Sequence, residues 1–228
     1  MWISFLEVAL VGAVLCLDRI ILQMMVSRPI VAGPVIGAVL KDPATGLVAG
    51  AFMELFWMDQ LPIGKYVPPN DTVATIIIAG GTILAGRGLG GVSPELIALA
   101  VLLFAPFAFV AKRLDILVIK SNEKLSLKVT EDARRGDTRA IAAKLWWGVA
   151  KSFSGTMVLI FVLLVIGSFL LEWLFPLLPM RVLRALTLTY CFIPVLGVAV
   201  ALNTIKLRGA LPVFAGLFLI FMLAIHVI

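Results

Sequence analysis

Charge and histidine are what this chain has least of. Only 14% of its 228 residues are charged, and one histidine, His226, stands in an apolar tail. A soluble domain of this length carries nearer ~25% charged residues, which excludes a water-soluble globule. There is no HExxH pair, no Walker A loop and no GxGxxG run joining a strand to a helix, so motif-based ATP hydrolysis is excluded. The glycine-rich GRGLGG at 86–91 lacks the Lys-Ser/Thr that would follow in a phosphate loop. A lone tail histidine is no credible phosphoryl carrier either. Cysteine is equally sparse. Cys16 and Cys191 sit in separate apolar runs with no CxxC spacing, which reads as two buried thiols rather than a redox or metal site. Neither a metal nor a cofactor is expected.

What the chain has instead is hydrocarbon. Hydrophobic residues make up 62%, and the mean hydropathy is +1.12. A crossing needs ~20 apolar residues. Residues 2–17 are apolar apart from Glu7 and lack a basic n-region and a small-residue cleavage site, so they read as a retained first helix rather than a signal peptide. Further crossings are read at 72–86, 96–111, 153–178, 182–202 and 209–228. The expected fold is an all-α polytopic membrane protein with about six spanning helices and one or two re-entrant or interrupted segments. Three regions are expected: an interrupted-helix region at 1–111, a basic loop at 112–152, and scaffold helices at 153–228.

The first region concentrates the polar chemistry. Between Arg28 and Lys41 lies an apolar segment of eleven residues containing Gly33, Pro34 and Gly37. It is too short to span and reads as a re-entrant arm. A turn at Lys41-Asp42-Pro43 follows, then an apolar segment carrying Glu54, then a Pro- and Gly-rich passage to Asp71. Backbone polar groups in a bilayer must be satisfied, so interrupted helices persist only inside protein or along a watery cavity. Ionisable side chains at that depth are costly and mark a substrate or ion path. The pattern points to transport.

Four side chains are candidates for holding a small polar solute: Glu54, Asn70, Asp71 and Gln23. A carboxylate fixed in an apolar pocket accepts hydrogen bonds from solute hydroxyls. Glu54 could equally pair with Arg28 or Lys65 for assembly. Asn70 and Asp71 could cap the helix that begins at Thr72. Arg28, Asp42 and Lys65 are structural or gating candidates, with Arg28 and Asp42 pinning the two ends of the short arm. Asp18 and Arg19 are an internal pair or an interfacial anchor. Trp57, Trp146, Trp147 and Trp173 read as interface belts.

The hydrophilic block at 112–151 holds ten of the nineteen Lys and Arg residues. The positive-inside rule makes it cytoplasmic. Its place between spans and its lack of interleaved aromatics argue against nucleic acid as a partner, and VTEDARRGDTRAIAAKLWW within it predicts a short amphipathic helix.

The run SRPIVAGPVIGAVLKDPATGLVAGAFMELFWM…LPIGKYVPPND closely resembles the membrane IIC subunit of the mannose/fructose/sorbose class of the bacterial phosphoenolpyruvate-dependent sugar phosphotransferase system. The motifs are Arg28-Pro29-Ile30-Val31-Ala32, Lys41-Asp42-Pro43-Ala44-Thr45-Gly46, Met53-Glu54-Leu55 and Ile63 to Asn70, with a weaker match at Asn203–Pro212. Asn70 stands where the family usually has Asp, and Asp71 follows one place later. The resemblance implies a non-catalytic permease subunit in the bacterial inner membrane, working as a hetero-oligomer with a IID membrane subunit and cytoplasmic IIA and IIB phosphocarriers, in which IIB phosphorylates the delivered hexose-type sugar. A proton-coupled secondary transporter and a non-transporting membrane scaffold are the other two readings.

Overall fold

In this computed structural model the described residues are all except 61–63, 65, 206–209 and 228. Among them every regular element is helical. The order is α1 (Trp2–Leu17), α2 (Pro29–Val39), α3 (Pro43–Trp57), α4 (Asp71–Leu89), α5 (Pro94–Phe104), α6 (Phe107–Arg135), α7 (Thr138–Leu174), α8 (Met180–Ile205) and α9 (Ala210–Val227).

Local chemistry sets most boundaries. Proline stands first in α2, α3 and α5, where its missing N–H costs nothing and its fixed φ suits a helix start. The side chains of Asp42, Asn70, Ser93 and Asp137 accept from backbone N–H groups of Thr45, Val73, Leu96 and Ala140, each satisfying an otherwise orphaned donor. Gly90 and Gly136 end α4 and α6 in the left-handed conformation, which glycine adopts without a Cβ clash.

The helix at the centre is α4. It packs on α1, α2, α3, α5, α6 and α7, and every residue from Thr72 to Gly86 is buried. A helix apolar all round belongs in an interior. Against it lies a helical hairpin, α2 and α3, whose two chains approach at glycines. A Cβ on Gly37 would stand 2.9 Å from Pro43 Cα, and one on Gly46 would stand 2.9 Å from Gly37 Cα. With Gly33 and Gly50 these form a small-xxx-small pair on each helix, the device that lets backbones touch in a membrane. At about 1.5 Å per residue, α2 and α3 are ~16 and ~22 Å long, short of a hydrocarbon core of ~30 Å. The arm expected between Arg28 and Lys41 is therefore one half of this hairpin, and its turn carries Lys41 at φ 67°.

Three described helices are long and apolar enough to cross a membrane, over Asp71–Leu89, Thr138–Leu177 and Met180–Leu202, or four if the bent pair α5–α6 is one span. The expected single crossing at 96–111 is in fact broken: α5 and α6 meet at 41°. Pro106 lacks an N–H and its ring crowds the preceding turn, which explains the break. The stretch 112–152, read as a loop holding one short helix, is instead the body of α6 and the first turns of α7, reversed at Gly136-Asp137. Cross-links hold this hairpin: Lys144 pairs with Asp132, Lys151 Nζ donates to Ser121 Oγ at 3.0 Å, and Asn122 donates to the Gly148 carbonyl. At ~55 Å, α7 is far longer than the hydrocarbon is thick, so its basic end projects beyond it.

Candidate functional site

The helix directions bring one set of termini together. α1 ends, and α2 and α4 begin, at the same end of the bundle, where α6 also passes. The chain from Asp18 to Arg28 folds over this end around a single carboxylate. Asp18 is 3% exposed and accepts from Met24 N at 2.9 Å, Ser27 N at 3.0 Å and Ser27 Oγ at 3.1 Å. Three bonds to one carboxylate satisfy a buried charge that would otherwise be costly.

Three further acids stand in this layer, each with a partner. Glu54 Oε1 accepts from Arg28 Nη1 at 2.9 Å, and its Oε2 from Ile30 N at 3.3 Å in the first turn of α2. Glu54 thus supplies, from α3, an acceptor that Arg28 as N-cap residue does not provide. Asp71 Oδ1 accepts from Arg19 Nη1 at 3.2 Å and from Thr72 N at 2.9 Å. Thr72 Oγ1 donates to the Ser27 carbonyl at 2.6 Å, tying α4 to the loop before α2. Asn70 is 2% exposed. Its Oδ1 caps α4 through Val73 N at 3.1 Å, while its Nδ2 donates to Asp115 Oδ2 at 2.9 Å on α6. The Asn70 N–H also donates to the Ala108 carbonyl at 3.0 Å.

Two helix N-termini, with their partial positive charge, thus face a layer of carboxylates and two guanidiniums in an otherwise apolar bundle. Chemically the layer can accept hydrogen bonds from hydroxyls and exchange internal partners for those of a polar solute. Among the described residues it holds no nucleophile or acid–base pair arranged for covalent chemistry.

The candidates fall out unevenly. Glu54, Asn70 and Asp71 share this end, together with Arg28. Gln23 is exposed on the covering loop in a left-handed conformation, φ 53°, and among the described residues no side-chain hydrogen bond joins it to the other three. Asp42 lies at the other end of α2 and caps α3, accepting also from Thr45 Oγ1 at 2.6 Å. Lys65 lies outside the described residues, as do Lys206 to Arg208 of the weakly matching C-terminal motif. Trp57 packs edge-on against Phe109, ring centres 5.4 Å apart, whereas Trp146, Trp147 and Trp173 are exposed. Arg19, read from sequence as the partner of Asp18 or an interfacial anchor, pairs instead with Asp71, and Asp115 belongs to the network without having been singled out from sequence. Asp115 had a signal: it is the one acid in the apolar run LDILVI at 114–119.

A cleft of about 970 Å³ opens at the opposite end, lined among others by Glu7, Lys41, Asp42 and Arg87. Sixteen residues of α4 separate Asp71 from Arg87, a distance of ~24 Å. The cleft and the carboxylate layer are therefore separate features.

Comparison with known proteins is consistent along the whole chain. The putative N-acetylgalactosamine permease IIC component 2 of Escherichia coli (strain K12) is 41% identical over 81 residues, 36% of this chain and 55% of that one. The chain thus spans about half the length of that relative. The mannose-specific EIIC component of the same organism is 27% identical over 94% of this chain and 79% of its own length. The cryo-EM structure of the mannose transporter ManYZ in complex with microcin E492 (MceA) superposes with a TM-score of 0.64 at 21% identity, over 96% of this chain and 86% of that chain. That likeness shows a shared all-helical fold. Residues 2–228 match the family described as PTS system sorbose-specific IIC component, and the chain belongs to that family of phosphotransferase-system permease subunits.

Proposed function

We propose that this chain is the sugar-translocating subunit of a mannose-family phosphotransferase system, and that Glu54, Asn70 and Asp71 hold the sugar at the first turns of α2 and α4. The observation that carries the reading is the convergence of Glu54, Asp71 and Asp115 on two helix N-termini within an apolar bundle. A hexose presents hydroxyl donors to which carboxylates are matched. Arg28 and Arg19 occupy those carboxylates here, so a sugar would enter by replacing them. Gln23 would contribute from the covering loop, and Lys65 is kept as a structural or gating candidate. Glu54 acts as the primary acceptor and Asn70 and Asp71 complete the ring.

Six spans fit this reading: α1, α4, the α5–α6 pair, α7, α8 and α9, with α2–α3 as the re-entrant hairpin. The basic α6–α7 projection lies at the same end as the carboxylate layer. Only Lys41, Arg87, Arg181 and Arg184 among the described Lys and Arg lie towards the other. The positive-inside rule then sets the layer on the cytoplasmic side and the amino terminus outside. Residues 1–111 form the sugar-holding unit, 112–152 the cytoplasmic projection and 153–228 the scaffold, and transport proceeds by rigid-body movement of the first against the last. The chain carries no phosphoryl group itself. A IID membrane subunit completes the permease, and phosphorylated IIB, charged by IIA, modifies the sugar as it arrives.

The test is sugar uptake in cells with the IID partner, comparing wild type with Glu54→Gln, with and without phosphorylated IIB. Sugar phosphate that accumulates only with IIB and collapses in the variant is the expected result. Uptake that ignores IIB but follows a pH gradient would replace the proposal with a proton-coupled transporter. A fully active variant would return Glu54 to structure.

A further inference from the structure

The α6–α7 hairpin carries a feature that sugar transport does not use. Where the two helices leave the bundle, a groove of about 460 Å³ runs between them, lined by Leu114, Ser154, Gly155, Val158, Leu159 and Val162. That volume falls in the range of small-ligand sites, ~300–1,000 Å³. Its walls are almost wholly apolar and small. Gly155 leaves the space open, since a Cβ there would meet only Leu114, at 3.8 Å.

The rim at one end of the groove is cationic. Lys151 lies one turn before Gly155 on α7, and its Nζ is held by Ser121 Oγ at 3.0 Å. On α6, Arg113, Lys120 and Lys124 are exposed and stand at intervals of seven and four residues, which places them along one flank beside Leu114 and Ser121. None of the four forms an ion pair among the described residues. The acids nearby are accounted for. Asp115 receives the Asn70 amide and Asp132 pairs with Lys144; Glu123 lies one turn from Lys120 but opposite the groove-lining Leu114 on α6, and forms no ion pair among the described residues. Lys112 is turned away, over the Tyr66 ring at 4.7 Å.

Depth decides what fits. The apolar run of α7 begins just after Lys151, and Trp146 and Trp147, both exposed, mark the interface one turn earlier. The groove is thus at acyl-chain depth and Lys120, Lys124 and Lys151 of its rim are at headgroup depth, with Arg113 beside Leu114 at the level of the groove. We propose that this groove is a binding site for an anionic phospholipid, one acyl chain lying against Gly155, Val158 and Val162 and the phosphate received by Lys151 Nζ and the Ser121 hydroxyl. Basic pockets between membrane helices take anionic headgroups in this way, and each Lys near the surface contributes enough to change affinity about fivefold. A covering protein helix would have to supply acids opposite Arg113, Lys120, Lys124 and Lys151, whereas a lipid phosphate supplies the charge with the chain.

Native mass spectrometry of the full-length purified chain tests this, with phosphatidylglycerol and phosphatidylcholine of identical chains as probes. Wild type is expected to retain phosphatidylglycerol preferentially. Lys151→Gln is expected to weaken phosphatidylglycerol about fivefold and leave phosphatidylcholine unchanged, while Gly155→Leu, filling the groove, weakens both. Helical circular dichroism equal to wild type identifies folded variants, and Gly155→Ala serves as the milder filling if the leucine does not fold. Equal retention of the two lipids, or variants that retain both as wild type does, would overturn the proposal. So would loss of the wild-type adduct on assembly with a membrane partner, which would assign the groove to a protein.

Discussion

Replacing Gly46 by alanine tests the backbone-to-backbone contact of α2 with α3. The new methyl would stand 2.9 Å from Gly37 Cα and press directly on the Gly33 carbonyl oxygen. Both obstacles are backbone, so no rotamer change relieves them. To restore ordinary contact, at 3.4 Å or beyond, with the Gly33 carbonyl oxygen, the nearer of the two obstacles, α2 and α3 must part by about one ångström. A gap of that size forfeits about half of each dispersion contact along the seam, and overpacking of this kind costs roughly 1–3 kcal/mol. For a chain of this length that corresponds to a melting point lower by about 2–4 °C per kcal/mol. Glu54 rides on α3 and Arg28 precedes α2, so their 2.9 Å pair is strained by the same displacement, and uptake is expected to fall with stability. Thermal unfolding in detergent, followed by tryptophan fluorescence, gives the stability, and Gly216→Ala is the control because nothing lies within 4 Å of a Cβ there. The reasoning is refuted if Gly46→Ala melts and transports as wild type does. It is also refuted if Gly33→Ala and Gly46→Ala add simply, because a hairpin already parted by one methyl should admit the second at reduced cost.

The other predictions concern single side chains. Asn70→Ala removes the α4 cap, about 1 kcal/mol, and leaves Asp115 without its donor, a further ~1–3 kcal/mol. Asn70→Ser, which keeps a capping oxygen, should recover the first part in the same melting assay but not the second. Asp42→Ala removes the α3 cap and the bond from Thr45 Oγ1, lowering stability by about 1 kcal/mol while leaving sugar affinity unchanged in equilibrium binding. Exchanging the charges, Arg28→Glu with Glu54→Arg, should restore stability lost in either single variant but not uptake, because the N-terminal turn of α2 would then face a cation. Equal rescue of both quantities would make the pair purely structural.

Much of this protein was legible in its residues. The dearth of charge and the long apolar runs determine a helical membrane protein, because only helices or closed barrels satisfy a backbone in lipid. Proline and Asx positions mark the starts of α2, α3 and α4, and the glycine spacing and Lys41-Asp42-Pro43 mark the hairpin turn, because caps and turns are decided by neighbours a few residues apart. The motif run from Arg28 to Asn70 points to the family for the same local reason. What tertiary structure alone decided is partnership. Glu54 meets Arg28 across 26 residues, Asp71 meets Arg19 across 52 and Asn70 meets Asp115 across 45, and nothing in local spacing selects Arg19 over Lys65 or picks Asp115 from a block read as solvated loop. Nor could periodicity show that Gln23 would sit exposed in a left-handed turn, that Pro106 would bend α5 and α6 by 41°, or that the basic block would continue α6 and α7 as one paired hairpin. These depend on which helix ends converge, and that is settled by the packing of six neighbours around α4.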